Sequence, residues 1–222
     1  MATKLKLNTT APKKSKKKTA SLPIQYPVGV PAKPTKARAV VLTSKVSFKG
    51  KVFSVTTDTV TEPGGVTSVR DVVRHNGSVI ILAVDTSVNL ADPTIVIERQ
   101  YRHAANQFLY ELPAGRIEPG EADLAAAKRE LIEETGFRAK KWSKLVKYYA
   151  SPGFLAETMQ VYLAEEIYPG VAEPEADEKI TLLQIPLSEL VRKIETGKIL
   201  DGKTILSVLL FARRLAARLS KS

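Results

Sequence analysis

In the stretch GRIEPGEADLAAAKRELIEETGF, Gly115 to Phe137, one arginine and three glutamates fall within six residues: Arg129, Glu130, Glu133 and Glu134. Like charges three and four residues apart on a helix repel one another, so something must offset them: solvent, arginine or a metal ion. With about 100° per residue, Glu130 and Glu134 lie roughly 40° apart and Glu133 is adjacent. Leu124, Ala127, Lys128 and Leu131 gather on another, mostly apolar side. The spacing therefore predicts one face that packs and one that collects carboxylates. Charge runs on helices are most often solvated faces, and these four residues taken alone would be read that way. The chain has no cysteine, and its only histidines are His75 and His103. Disulfides, thiolate nucleophiles and zinc-thiolate sites are excluded, and any metal must be held by oxygen.

The flanks bound the helix at about Ala122 to Thr135. Pro119-Gly120 makes a turn, and Glu121 and Asp123 put negative charge where the helix dipole favours it. Gly136 stands where a left-handed cap is expected, with Phe137 to supply the apolar contact after it. The whole pattern reads G, five residues, E, seven residues, R-E-U, one residue, E-E, one residue, G-U, with U apolar. Gly115, Glu121, Arg129, Glu130, Leu131, Glu133, Glu134, Gly136 and Phe137 occupy every defined position.

This pattern resembles the signature of Nudix hydrolases. The resemblance implies attack of water on a phosphoanhydride, whose negative charges must be neutralised by hard divalent cations with oxygen ligands. It implies Glu130 and Glu134 as metal ligands, Glu133 as a further ligand or water-orienting residue, and Glu121 as an auxiliary one. Arg129 would orient the carboxylates, and the backbone carbonyl of Ala114 would complete the shell. The implied cofactor is Mg²⁺, with Mn²⁺ as a substitute.

Three flanking features resemble the ADP-ribose pyrophosphatase branch: YELPAG (Tyr110 to Gly115), Pro152 fifteen residues after Phe137, and the strand ERQYR (Glu98 to Arg102). The implied reaction is hydrolysis of the diphosphate of ADP-ribose, or a related nucleoside diphosphate sugar, to AMP and a sugar phosphate. GDP-mannose, diadenosine polyphosphates and NADH are the alternative substrates. Arg99 and Arg102 either meet phosphate or ribose hydroxyls or are exposed strand charges. The branch is commonly homodimeric with exchanged N-terminal lobes, which would bring Arg70 to a partner's substrate. Glu157 resembles a substrate-side acid. The acidic loop EPEADEKI offers Glu175, Asp177 and Glu178 as general base, with Glu178 preferred and the box itself as the other source. Tyr101, Phe108 and Phe154 are candidates to stack on adenine or are core aromatics; His75 and His103 read as turn and strand-end residues.

The elements that must position these residues read as short strands and three helices. KVSFKGKVFSVTTDTV and VTSVRDVVRH, separated by Glu62-Pro63-Gly64-Gly65, form a small antiparallel lobe. SVIILAVD, TIVIERQYR, KLVKYYAS, TMQVYLAEEI and TLLQIPL are further strands; SELVRKIETG and Ile205 to Leu219 are terminal helices. The expected fold class is α/β (α+β), a Nudix-type alpha/beta/alpha sandwich with a small N-terminal antiparallel β lobe. Its expected divisions are a tail (1–38), the β lobe (39–75) and the catalytic domain (76–222).

The formal net charge of +11 sits almost wholly in that tail, which holds ten Lys/Arg and no acid. Its lysines and prolines, without apolar periodicity, read as a disordered extension or a weak arm for polyanions. A nucleic-acid-associated, nucleotide-binding protein is therefore the second class of function. No apolar run reaches about 18 residues, so no membrane span is expected. The expectation is a cytoplasmic enzyme.

Overall fold

The computed structural model describes residues 38–172 and 179–220. The basic segment before Arg38 and the acidic residues 173–178 lie outside them. Strands β1 (Val40–Lys49), β2 (Ser54–Thr61) and β3 (Thr67–Arg74) form an antiparallel sheet in the order β1-β2-β3. The β2–β3 turn is the expected Glu62 to Gly65 segment, where Gly65 donates to the Glu62 carbonyl at 2.8 Å with φ +79°.

The second sheet takes its core from β4 (Ser78–Asp85), in which Val79 to Val84 are fully buried. Burial of every side chain in a row means that both faces are covered. Val79, Ile81 and Ala83 pack with Ala126, Ala127 and Leu131 of α1 (Asp123–Thr135). Ile80, Leu82 and Val84 pack with Leu187 and Leu190 of α2 (Leu187–Glu195) and Val208 and Phe211 of α3 (Gly202–Leu219). Helices on both faces make the expected layered α/β architecture.

The sheet runs β10 (Thr181–Pro186), β5 (Thr94–Arg102), β4, β9 (Thr158–Pro169), β8 (Phe137–Tyr149). β4 and β9 are parallel and the other pairs on this path antiparallel. Two short strands that the sequence pattern did not mark are β6 (Gln107–Glu111), which pairs with β5, and β7 (Ala114–Arg116), which pairs with β4. β8 begins seven residues before the expected KLVKYYAS, because its lysines, typical of a protected edge strand, obscure the apolar alternation. Among the described residues no helix is long and apolar enough to cross a membrane.

Candidate active site

α1 begins after the Pro119-Gly120 turn, where Gly120 has φ +82°. Its N-cap, Ala122, offers no side-chain acceptor; just before it, Glu121 accepts the Glu118 backbone N–H at 3.1 Å. At the other end Gly136 takes φ +70° and donates to the Ile132 carbonyl at 2.8 Å, so the left-handed cap forms as expected. The packed side of α1 differs from expectation. Lys128 is exposed, and Ala126, Ala127, Leu131, Glu134 and Thr135 are buried. The two small alanines let the helix close on the sheet with Glu134 in the middle of the packed side, only 6% exposed.

Arg129 is the hub of the carboxylate side. Its Nε and one terminal nitrogen donate to the two oxygens of Glu121, both at 3.0 Å. The other terminal nitrogen donates to Glu130 at 2.8 Å and Glu133 at 2.9 Å. A further bond reaches the Arg116 carbonyl at 3.1 Å. The hydrogen bonds to Glu121 above all, with those to Glu130 and Glu133, hold the Arg129 guanidinium well above its ordinary value against the effect of burial. The same pair lowers the Glu121 carboxyl.

β7 brings the preceding loop against this helix. Pairing of Ala114 with Ile80 and Gly115 with Val79 fixes the loop backbone on the sheet, and the Ala114 N–H donates to Glu134 at 3.0 Å. A Cβ on Gly115 would lie 1.9 Å from the Glu130 carboxylate. These groups line a cavity of about 590 Å³ that also includes Arg102, His75, Asn76 and Glu118. Among the described residues no three acidic or histidine side chains already form a closed cage. The donors that line this one cavity, the carboxylates of Glu130, Glu133 and Glu134 and the backbone of Ala114, offer oxygen. Such a set fits a hard divalent cation, and the missing Cβ at Gly115 keeps backbone and carboxylate close enough to share one.

The other expected residues divide. Arg102 lines the cavity, and its Nε and a terminal nitrogen each donate to Glu111 at 2.9 Å. Arg99, three residues earlier, projects from the opposite face of β5 and lies over the Phe108 ring, 3.9 Å from its centroid. Tyr101 also packs on Phe108, with centroids 5.5 Å apart. Arg70 pairs with Glu62 within the N-terminal sheet and borders a separate cavity with Tyr149, Pro152 and Phe154. Glu157 accepts from Ser78 Oγ at 2.6 Å and stands 3.5 Å from His75 Nδ1. His103 lies in a 3₁₀ turn at the end of β5, consistent with a strand-end residue. Glu178, with Glu175 and Asp177, lies outside the described residues.

Sequence reasoning did not single out Glu111, Lys203, Asn76 or Glu118, and it read His75 only as a turn residue. His75 is a cavity-wall residue whose side chain is 9% exposed. A turn at a cavity rim has no periodic signature, and Glu111 was hidden inside YELPAG.

The Nudix domain matches residues 75–205. An ADP-ribose pyrophosphatase of Bacillus subtilis is 35% identical over 163 residues, covering 72% of this chain and 85% of that protein. A GDP-mannose pyrophosphatase of Citrobacter koseri is 34% identical over 155 residues, covering 61% of this chain and 77% of that protein. The crystal structure of an ADP compounds hydrolase superposes with a TM-score of 0.69 at 22% identity, over 82% of this chain and 96% of that one; the likeness is one of fold. A domain match across more than half of the chain, spanning the loop and helix that carry the carboxylates, makes this chain a member of the Nudix hydrolase family.

Proposed function

We propose that this hydrolase cuts the diphosphate of ADP-ribose, or a closely related nucleoside diphosphate sugar, to AMP and a sugar phosphate. The observation that carries the reading is one cavity lined on one side by Glu130, Glu133 and Glu134 and elsewhere by the guanidinium of Arg102. The similarity to ADP-ribose pyrophosphatase supports the choice of substrate. In the reaction the oxygen of water bonds to one phosphorus and the bridging P–O bond breaks. The departing phosphate keeps the bridging oxygen, and the proton of the attacking water passes to a carboxylate and then to solvent.

Divalent ions, Mg²⁺ in this reading and Mn²⁺ as a substitute, supply charge neutralisation of the diphosphate and acidification of bound water. Glu130, Glu133, Glu134 and the Ala114 carbonyl would hold them. Arg129 fixes the carboxylates through charge-assisted hydrogen bonds, and Arg102 presents N–H donors to phosphoryl oxygens. Glu178 or Glu133 takes the proton, and Glu157, 3.5 Å from the cavity-wall residue His75, is the substrate-side acid of this reading. The N-terminal sheet pairs two copies of the chain, so that Arg70 serves the partner's site. Residues 1–38 contribute polyanion contacts outside catalysis.

A second substrate, GDP-mannose, is favoured by the GDP-mannose pyrophosphatase relative. Incubation with Mg²⁺ and ADP-ribose, ADP-glucose or GDP-mannose, with products separated by ion-exchange chromatography, decides between them. AMP released fastest from ADP-ribose is expected. Faster GMP release from GDP-mannose establishes the second reading, and turnover of none overturns both.

A further inference from the structure

Glu111 ends β6 at 2% exposure, directly across the ladder from Glu98, which is also buried. Two carboxylates in register at the heart of a domain are unfavourable unless cations and hydrogen bonds offset their desolvation. Both oxygens of Glu111 are taken by Arg102 in a two-pronged pair, and one also accepts from the Lys203 ammonium. Lys203 in turn donates to Asp201 at 3.1 Å. Asp201 is the N-cap of α3, accepting from the Thr204 N–H at 3.0 Å and its hydroxyl at 2.6 Å. The Thr204 hydroxyl then accepts the Leu112 N–H at 2.8 Å. The first turn of α3 thus grips two successive residues, Glu111 and Leu112. These lie immediately before Pro113-Ala114, where the loop enters the site.

This network fixes how Arg102 stands. With Nε and one terminal nitrogen turned to Glu111, the plane of the guanidinium is set by that pair, and Arg102 lines the same cavity as Glu134. A two-pronged pair constrains the guanidinium plane as well as its position. An arginine held this way loses less freedom on meeting a diphosphate than one on a solvated strand.

We propose that Glu111, held in place by Lys203 at the N-terminus of α3, is a positioning residue that orients Arg102 toward the substrate diphosphate. The inference rests on the reading of Arg102 as a phosphate contact and adds the device that aims it.

The test measures ADP-ribose binding by isothermal titration calorimetry in a Glu134→Gln background, where substrate stays intact, and kcat and KM in the otherwise wild-type chain. Glu111→Gln is expected to weaken ADP-ribose binding and raise KM by roughly 10–100-fold, with kcat much less affected. Combined with Arg102→Ala, it should add almost nothing to the loss caused by Arg102→Ala alone. Lys203→Met leaves the Arg102–Glu111 pair in place and keeps the question answerable should Glu111→Gln not fold. It is expected to give a smaller KM rise that also vanishes beside Arg102→Ala. Losses that add independently of Arg102, or a fall in melting temperature with unchanged KM, overturn the positioning role alone. An Arg102→Ala variant that binds and turns over ADP-ribose normally overturns Arg102 as a phosphate contact and the inference with it.

Discussion

Gly115 and Glu130 approach so closely that a methyl group on the glycine would lie 1.9 Å from the carboxylate carbon of the glutamate. Two elements meet at this point: β7, pinned to β4 by its ladder, and α1, which turns Glu130 toward it. The atoms in the way belong to the end of a flexible side chain, so Gly115→Ala should fold with the carboxylate displaced. The expected result is a melting temperature near that of the wild type and a Mg²⁺ requirement raised at least roughly tenfold. Titration of initial rate against Mg²⁺ reads this directly. An unchanged Mg²⁺ dependence would remove Glu130 from the metal set.

Glu134 differs from Glu130 in being packed into the protein while still facing the cavity. Glu134→Gln keeps an acceptor for the Ala114 N–H and removes the charge. Turnover should fall by at least roughly a hundredfold, since charge stabilisation by metal contributes several kcal/mol to such reactions. Circular dichroism and the melting curve should stay close to wild type. Retention of most of the activity would mean that this carboxylate holds no catalytic metal.

The helix, its C-terminal glycine cap and the carboxylate cluster were legible because the box fixes types and spacings at once, and a 3.6-residue period shows which positions share a side. The mistaken position of Lys128 marks where that reasoning ends. Periodicity ranks side chains by polarity, whereas packing here was decided by size: Ala126 and Ala127 admit close contact with β4 and carry Glu134 inward. The strands β6 and β7 were illegible because three to five residues hold too little alternation. The partition between Arg99 and Arg102 was not drawn from the motif ERQYR, although odd spacing along a strand puts them on opposite faces. The network of Glu111, Lys203 and Asp201 joins residues about 90 positions apart, and only the tertiary fold makes them neighbours.

Glu111 also gives a pH signature. Burial alone would raise its carboxyl, but the hydrogen bonds and charges of Arg102 and Lys203 outweigh burial and hold it below its ordinary value of 4.5. A carboxyl whose folded value is depressed contributes stability that is complete above the unfolded value and is lost as pH falls through the folded one. The difference in urea-unfolding free energy between wild type and Glu111→Gln should therefore be largest above about pH 5 and shrink as the solution is acidified below about pH 4. A difference that does not vary with pH would show that the ionised pair contributes nothing to folding.

Every residue of β1 is exposed, Val41, Val46 and Phe48 among them, and so are Val66, just before β3, and Val69 on it. A strand uncovered on both faces, with an apolar series of this length, is a surface that soluble chains ordinarily cover. The expected cover is the equivalent lobe of a second copy, and sedimentation equilibrium should find a dimer at micromolar concentration. Val46→Asp would place an unpaired charge in that contact and weaken association by at least roughly a hundredfold. Because Arg70 stands on β3 of the same sheet, loss of the dimer should also lower kcat/KM for ADP-ribose, and concentrating the variant should restore it. A wild-type chain that is monomeric at tens of micromolar and fully active would separate Arg70 from catalysis and leave the apolar strand without a role in the reaction.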